Sequence, residues 1–448
     1  MSSGFFMQHL STRIASREAK VGVIGLGYVG IAVAAALADA GFRVVGVDVK
    51  ADRVARINAG ECPIEGDEPE LPELLRRVTA EKKLVATTDY APLAEADVVL
   101  IGVDTPVDAD RRARFVALQN ACRDLGRVMK DGVLVVIEST VAPGTCETIV
   151  APLLERESGK KVDEGFFLGH CPERVMSGKL LSNLRNLPRV CGASTPETAA
   201  AMIAFYRTIA HGKLETSDWV TAELVKTAEN TLRDVNIAFA NELGLVCEAA
   251  GADFSRVRAL VNELPGRNML VAGAGVGGHC IPKDPWLLVQ GLSDLQPRVL
   301  PAARAVNDAM PLHVGRLVEA ALREAGVAIA GARVVLLGYA YLANSNDTQN
   351  SPSATLATYL RERGANVIVH DPWVAGHATD LWDATRGADA AVLMVAHDAY
   401  CDLDLTRLKA TLAHPVLIDG RRVVDADAAE KAGFVFRAVG RGKRRRQR

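Results

Sequence analysis

A short apolar strand, Lys20 to Ile24, breaks into Gly25-Leu26-Gly27-Tyr28-Val29-Gly30 and then into the alanine-rich run Ile31 to Ala40. Strand, glycine turn and helix in that order ask for a tight turn at Gly25, close approach of a pyrophosphate to the backbone at Gly27, and a helix lying close on its strand at Gly30. The first N–H groups of the helix, those of Tyr28 and Val29 among them, meet phosphates with the positive end of the helix dipole. A second strand, Arg43 to Val47, ends at Asp48, where a carboxylate accepts hydrogen bonds from an adenosine ribose and repels a 2′-phosphate. The reading is a dinucleotide-binding unit that prefers NAD to NADP, with Gly25, Gly27, Tyr28, Val29, Gly30, Asp48 and Arg53 around the cofactor.

The alternation continues through Asp97 to Val103, Gly132 to Glu138 and Phe166 to His170, which predicts a parallel, doubly wound sheet. Thr105 and Thr140 fall at its carboxyl edge, where ligands of such sheets bind. Ordinary turn and helix-cap chemistry accounts for these threonines equally well. From Thr221 to Glu248 and from Pro301 to Ala325 the chain reads as long amphipathic helices, and after Gly331 the strands resume at Arg333 to Gly338, Val367 to Asp371, Ala390 to Val395 and Val416 to Asp419. The expected fold is α/β, with two Rossmann-like doubly wound domains joined by a central helical region. Their expected bounds are 20–215, 216–328 and 329–440, followed by a basic tail, 441–448. Long helices between such domains favour a subunit interface, hence a homodimer.

Composition excludes several classes. Lys plus Arg number 52 against 54 Asp plus Glu, so no global field recruits nucleic acid or an anionic membrane. The basic tail reads as a solvated end. The first twenty residues have no signal-peptide apolar core, and no apolar run reaches the roughly 20 residues of a membrane span. Eight cysteines without C-x-x-C spacing argue for reduced thiols in the cytoplasm and against a metal site.

One of those cysteines, Cys280, stands in Gly275-Val276-Gly277-Gly278-His279-Cys280-Ile281-Pro282-Lys283-Asp284. Glycines let backbone pass close to a ligand, Pro282 stiffens the exit, and Asp284 is placed to hold a water or orient a partner, as around a catalytic thiol. A tight turn around a buried structural cysteine has the same appearance. Lys226 and Asn230, four apart on a helix, share a face and together suit a developing oxyanion, although a solvated helix surface reads alike. Arg421, at the end of the strand Val416 to Asp419, offers a guanidinium to a diphosphate, or is an ordinary surface arginine.

Taken together, the glycine turn, Ser139-Thr140-Val141-Ala142-Pro143-Gly144-Thr145, Cys171-Pro172-Glu173-Arg174, the helix from Ala222 to Asn230 and the loop Gly277 to Asp284 resemble the nucleotide-sugar 6-dehydrogenases, over roughly Lys20 to Arg441. The resemblance implies four-electron, NAD-dependent oxidation of a sugar C6 hydroxyl to a carboxylate, through a thiohemiacetal and a thioester on Cys280, for polysaccharide precursors. It implies that Lys226 and Asn230 steady the oxyanions, that Glu173 and Asp284 direct the hydrolytic water, and that Thr140 assists. Glu173, Arg174, Lys226, Asn230, Arg267, Gly277 and Arg421 are the expected substrate contacts. The Gly277 to Pro282 loop and the His170 to Met176 stretch look like the UDP-N-acetyl-D-mannosamine branch, with UDP-N-acetylglucosamine or UDP-glucose as alternatives. Leu342 and Gln349 stand where the family usually has lysine and arginine, and Ser177 where that branch commonly has proline. A two-electron hydroxyacid dehydrogenase would have no use for the thiol, and a non-catalytic nucleotide-sugar-binding protein would have none for the whole set.

Overall fold

The computed structural model describes residues 3–64, 68–176, 178–292 and 294–442. Ser177 and most of the basic tail lie outside them. The chain divides into two compact units, Met1–Glu229 with Trp286–Leu295, and Asn230–Pro285 with Gln296–Arg448.

In the first unit the strands are β1 (Lys20–Ile24), β2 (Arg43–Val47), β3 (Leu84–Thr87), β4 (Val98–Ile101), β5 (Val133–Ile137), β6 (Phe166–His170), β7 (Arg189–Ala193) and β8 (Leu214–Ser217). Their order is β3-β2-β1-β4-β5-β6-β7-β8. The chain reverses direction across the sheet between β1 and β4, which opens the crevice for a ligand at their carboxyl ends. Strands β4, β5 and β6 are buried throughout because helices cover both faces, so they read as unbroken apolar runs. One apolar cluster fills one face, around Ile31, Leu37, Phe42 and Phe205, and a second fills the other, around Leu93, Leu118, Leu125 and Leu154.

The strands the sequence marked, β1, β2, β4, β5 and β6, pair in parallel, while β7 runs antiparallel to β6 with Gly169 opposite Ala193 and His170 opposite Gly192. Between them the described residues make one seven-residue helix, Leu180–Asn186, and the chain turns back at the carboxyl end without crossing to the other. That turn keeps the segment after His170, and with it Glu173, at the ligand edge.

In the second unit β9 (Arg333–Leu337), β10 (Asn366–His370), β11 (Ala390–Leu393), β12 (Val416–Asp419) and β13 (Val435–Ala438) form a parallel sheet in the order β10-β9-β11-β12-β13. Its first turn repeats the first unit's layout with a different result. Gly338 takes φ +99° after β9 as Gly25 takes φ +90° after β1, and each donates its N–H to the strand alongside. The carboxylate that follows β10, Asp371, is fully buried and spent on the N–H groups of Tyr339, Ala340, Trp373 and Val374 and on His397 Nε2 at 3.1 Å. Burial opposes its ionisation, yet the His397 and backbone hydrogen bonds hold it well below the usual carboxylate range. Its oxygens are thereby taken up by the turn after β9 and by His397.

Two long helices complete the chain, Trp219–Ala250 and Val299–Glu324. Among the described residues no helix is long and apolar enough to cross a membrane.

Candidate active site

In the glycine turn of the first unit a methyl group at Gly25 would meet the Gly102 carbonyl oxygen at 2.4 Å, and one at Gly30 would lie 1.8 Å from the Gly25 oxygen. Both positions therefore require glycine. At Gly27 the nearest atom to such a methyl is Arg53 Nη1 at 3.9 Å, which leaves the room a pyrophosphate needs. The helix Tyr28–Asp39 starts there without a side-chain cap, so its first N–H groups are available to phosphate oxygens. Asp48 follows β2, accepts from Leu26 N and Lys50 N, and pairs with Arg53 Nη1 at 2.9 Å. These residues fit NAD. Thr105 donates its hydroxyl to the Thr140 carbonyl at 2.6 Å, and the Ser139 hydroxyl bridges Val103 N and O, stitching the ends of β4 and β5 together.

The loop that carries Thr140 is anchored from the long helix. Glu223, fully buried, accepts from Gly144 N at 2.5 Å and Cys146 N at 2.8 Å. Three residues on, Lys226 is buried, which removes the solvated-surface reading for this lysine. Glu173 Oε1 is buried and has no hydrogen-bond partner among the described residues. Burial pushes the Glu173 carboxyl up to about 7, against the pull of Lys226 and Arg189. Arg174 is engaged by the Pro188 carbonyl at 2.8 Å and Glu229 at 2.6 Å. Behind them lies a buried cluster: Arg189 approaches Cys171 Sγ and Glu138 at 4.0 Å each, and Tyr206 donates to Glu138 at 2.7 Å. His170, fully buried, is held neutral, its pKa lowered by desolvation to about 3.

In the second unit Cys280 is exposed, whereas Cys122, Cys146, Cys171, Cys191 and Cys247 are buried. The buried-cysteine reading is thereby excluded. The segment is not an extended loop: Cys280 is the first residue of the helix Cys280–Leu288, and Pro282 sits in its first turn, where an N–H has no partner in the helix to lose. Asp284, fully buried, accepts from Asn230 Nδ2 on one oxygen and from Lys283 Nζ at 2.5 Å on the other. Asp284 thus orients the Asn230 amide, and Lys283, itself buried, balances its charge. At Gly277 a methyl group would meet Tyr341 Cβ at 2.5 Å, so only glycine fits. Gln349 contacts His279, Nε2 to Nδ1, at 2.8 Å, while Leu342 and Arg267 are exposed. Arg421 spends Nε on the Met394 carbonyl at 2.8 Å and Nη2 on the Gly275 carbonyl at 3.1 Å.

Glu223 and Lys283 carry positioning work that the sequence reading did not assign. Glu223 lies one turn before Lys226, a spacing that signals a shared face. The cluster of Glu138, Arg189 and Tyr206 left no local signal.

Three family models match the chain: the NAD binding domain of the UDP-glucose/GDP-mannose dehydrogenase family at residues 19–210, its central domain at 220–309 and its UDP binding domain at 335–426. The UDP-N-acetyl-D-mannosamine dehydrogenase of Pyrococcus horikoshii is 35% identical over 423 residues, 94% of this chain and 99% of that one. The structure of UDP-D-ManNAc dehydrogenase from Pyrococcus horikoshii superposes with a TM-score of 0.91 at 34% identity, covering 95% of this chain and 100% of that chain. An NDP-N-acetyl-D-galactosaminuronic acid dehydrogenase from Methanosarcina mazei Go1 gives 0.86 at 36% identity, covering 99% and 98%. Matched along nearly its whole length, the chain belongs to the UDP-glucose/GDP-mannose dehydrogenase family and is an NAD-dependent nucleotide-sugar dehydrogenase.

Proposed function

We propose that the chain oxidises the C6 hydroxyl of UDP-N-acetyl-D-mannosamine to the uronic acid, with Cys280 as the nucleophile. The observation that carries this reading is the exposed thiol at the start of a helix, in a chain 35% identical to a UDP-N-acetyl-D-mannosamine dehydrogenase. The glycine turn and Asp48 would hold NAD, which when bound would supply the hydride acceptor for each oxidation. Cys280 adds to the C6 aldehyde to give a thiohemiacetal, and its sulfur keeps the acyl group as a thioester until water releases the acid. The positive end of the helix Cys280–Leu288 suits negative charge developing beside the sulfur. Lys226 supplies an ammonium and Asn230 an oriented amide for the oxygens that gain charge, and Asp284 fixes that amide. Glu173, with a pKa near neutrality, takes the proton of the hydrolytic water, and Thr140 assists there. Arg174, Arg267, Gly277 and Arg421 remain the proposed contacts to the nucleotide sugar.

A second reading, an N-acetylgalactosamine-type sugar, is favoured by the 36% identity to the Methanosarcina mazei enzyme. NADH formation measured across a panel of UDP- and GDP-sugars tests both. The highest kcat/KM is expected with UDP-N-acetyl-D-mannosamine, and a higher value with a galacto or gluco sugar overturns the assignment. A place in polysaccharide precursor synthesis in the cytoplasm is part of the same proposal. So is a homodimer. Leu232, Phe239 and Val246 recur every seven residues along one helix and are 62%, 59% and 54% exposed, an apolar stripe that a second copy would cover.

Asp48 is expected to give NAD at least about a tenfold advantage over NADP in kcat/KM, since a 2′-phosphate beside its carboxylate is repelled. Equal efficiencies in the unaltered protein would contradict this. Arg421→Ala is expected to weaken nucleotide-sugar binding at least about tenfold in a calorimetric titration, while Gln349→Arg is tolerated or binds more tightly. Unchanged affinity in Arg421→Ala would leave this arginine the structural task of holding Met394 and Gly275.

A further inference from the structure

Two sulfurs lie side by side where β6 and β7 meet. The antiparallel pairing of Gly169 with Ala193 and of His170 with Gly192 brings Cys171 and Cys191 opposite one another at the next step. Directly opposite residues of an antiparallel pair have Cα atoms about 4.5–5.5 Å apart, inside the range of about 4.4–6.8 Å that a disulfide spans. Both side chains point to one face: the Cys191 thiol reaches Cys171 Sγ at 4.0 Å, and both residues are fully buried. Joining the sulfurs therefore asks for side-chain rotation and leaves the strands on their path.

The pair is polarised. Arg189, two residues before Cys191 and so on the same face of β7, sets Nη1 4.0 Å from Cys171 Sγ, and a guanidinium has only positive charge to offer. Burial opposes a Cys171 thiolate, yet the Cys191 thiol and Arg189 outweigh it, against the push of Glu138, and hold the Cys171 pKa below the ordinary thiol value. The hydrogen bond to Cys171 and burial push the Cys191 thiol up. One sulfur is thus the nucleophile and its neighbour the resolving thiol. Cys171 stands just past the end of β6, and strand ends open at a small part of the free energy of unfolding, enough to admit a molecule little larger than water. In a reducing compartment such a pair rests as two thiols.

We infer that Cys171 and Cys191 are a reversible dithiol–disulfide site for hydrogen peroxide, a staple across the root of the segment that carries Glu173 and Arg174. The Cys171 thiolate attacks one peroxide oxygen, the O–O bond breaks, and the departing hydroxide takes up the proton that Cys171 had lost, giving water. The Cys191 sulfur then attacks the sulfur of the Cys171 sulfenic acid; the S–O bond breaks and its hydroxyl leaves as a second water with the Cys191 proton. The electron pair lost by the two sulfurs has passed to the peroxide oxygens. The new bond joins residues 20 apart in the chain and so restrains the unfolded state.

The test uses Cys280→Ala, so that the exposed thiol does not consume the oxidant. After a small molar excess of hydrogen peroxide, denaturation and alkylation, peptide mapping by mass spectrometry is expected to find Cys171 joined to Cys191 in most molecules, lighter by the hydrogens lost, with Cys122, Cys146 and Cys247 still alkylated as thiols. Dithiothreitol should restore both thiols. The thermal midpoint of the oxidised protein is expected to lie about 3 °C or more above that of the reduced one. Cys191→Ala should lose both the bond and the shift, and its Cys171 should stop at the sulfenic acid, trapped by dimedone. The mapping stands without that variant. Cys171 and Cys191 both alkylated after peroxide, oxidation confined to Cys62 and Cys401, or a midpoint that does not rise once the bond has formed overturns the inference.

Discussion

Cys280→Ala is expected to lower uronic acid formation by at least about a thousandfold while nucleotide-sugar binding stays within about threefold of the unaltered protein. The thiol is exposed at the first residue of a helix and belongs to the only cysteine in the sequence from Asp253 to Leu393. Alanine removes the atom that holds the aldehyde but none of the hydrogen bonds among Asn230, Asp284 and Lys283. The site should therefore fold and bind. Stoichiometry separates the four-electron reaction from a two-electron one: the unaltered protein is expected to form two NADH per uronic acid, counted by absorbance against product. One NADH per product, or full activity in the alanine variant, sinks the thioester route.

How much of this was legible in the sequence follows from how local each determinant is. The glycine turn was readable because the positive φ at Gly25 and the clash of Gly30 with the Gly25 oxygen are local to the chain, and β1, β2, β6 and β12 fall on the residues their apolar runs marked. Strands β7 and β8 were not readable. In β8, Leu-Glu-Thr-Ser, half the residues face solvent, and in β7 an arginine and a glycine interrupt the run, so neither shows the apolar pattern of a central strand. The helix at Cys280 was hidden by its composition. Glycines before it and Pro282 and Pro285 within it read as a loop, although a proline in the first turn costs the helix no hydrogen bond.

The identities of Cys280, Lys226, Asn230, Glu173 and Asp284 were open to the sequence through motif and resemblance, but their states were not. That Lys226 is buried, that Asp284 is held between Asn230 and Lys283, and that Glu173 is short of a partner all depend on residues brought together from distant segments. Glu138 meets Tyr206 across 68 positions and Glu223 meets Cys146 across 77, separations at which no periodicity operates.

Glu173→Gln is expected to slow acid release about a hundred- to ten-thousandfold, the usual contribution of a positioned base, while leaving both oxidations nearly intact. A glutamine keeps the shape and the polarity of the side chain but cannot take a proton from water, so the thioester should accumulate on Cys280. The visible result is a burst of about two NADH per active site followed by near arrest, with the acyl adduct on Cys280 detected by mass spectrometry of the quenched enzyme. The pH dependence of the unaltered protein follows from the same carboxyl. Burial raises its pKa to about 7, and the base is the ionised form, so acid release is lost as pH falls through about 7 and levels off above it. Stability should run the other way: the native carboxyl keeps a proton that the unfolded chain has already lost, so the fold weakens as pH rises from about 4.5 to about 7, and Glu173→Gln should remove that slope. Steady turnover near the unaltered rate in Glu173→Gln, or a rate independent of pH across neutrality in the unaltered protein, would take Glu173 out of the hydrolytic step.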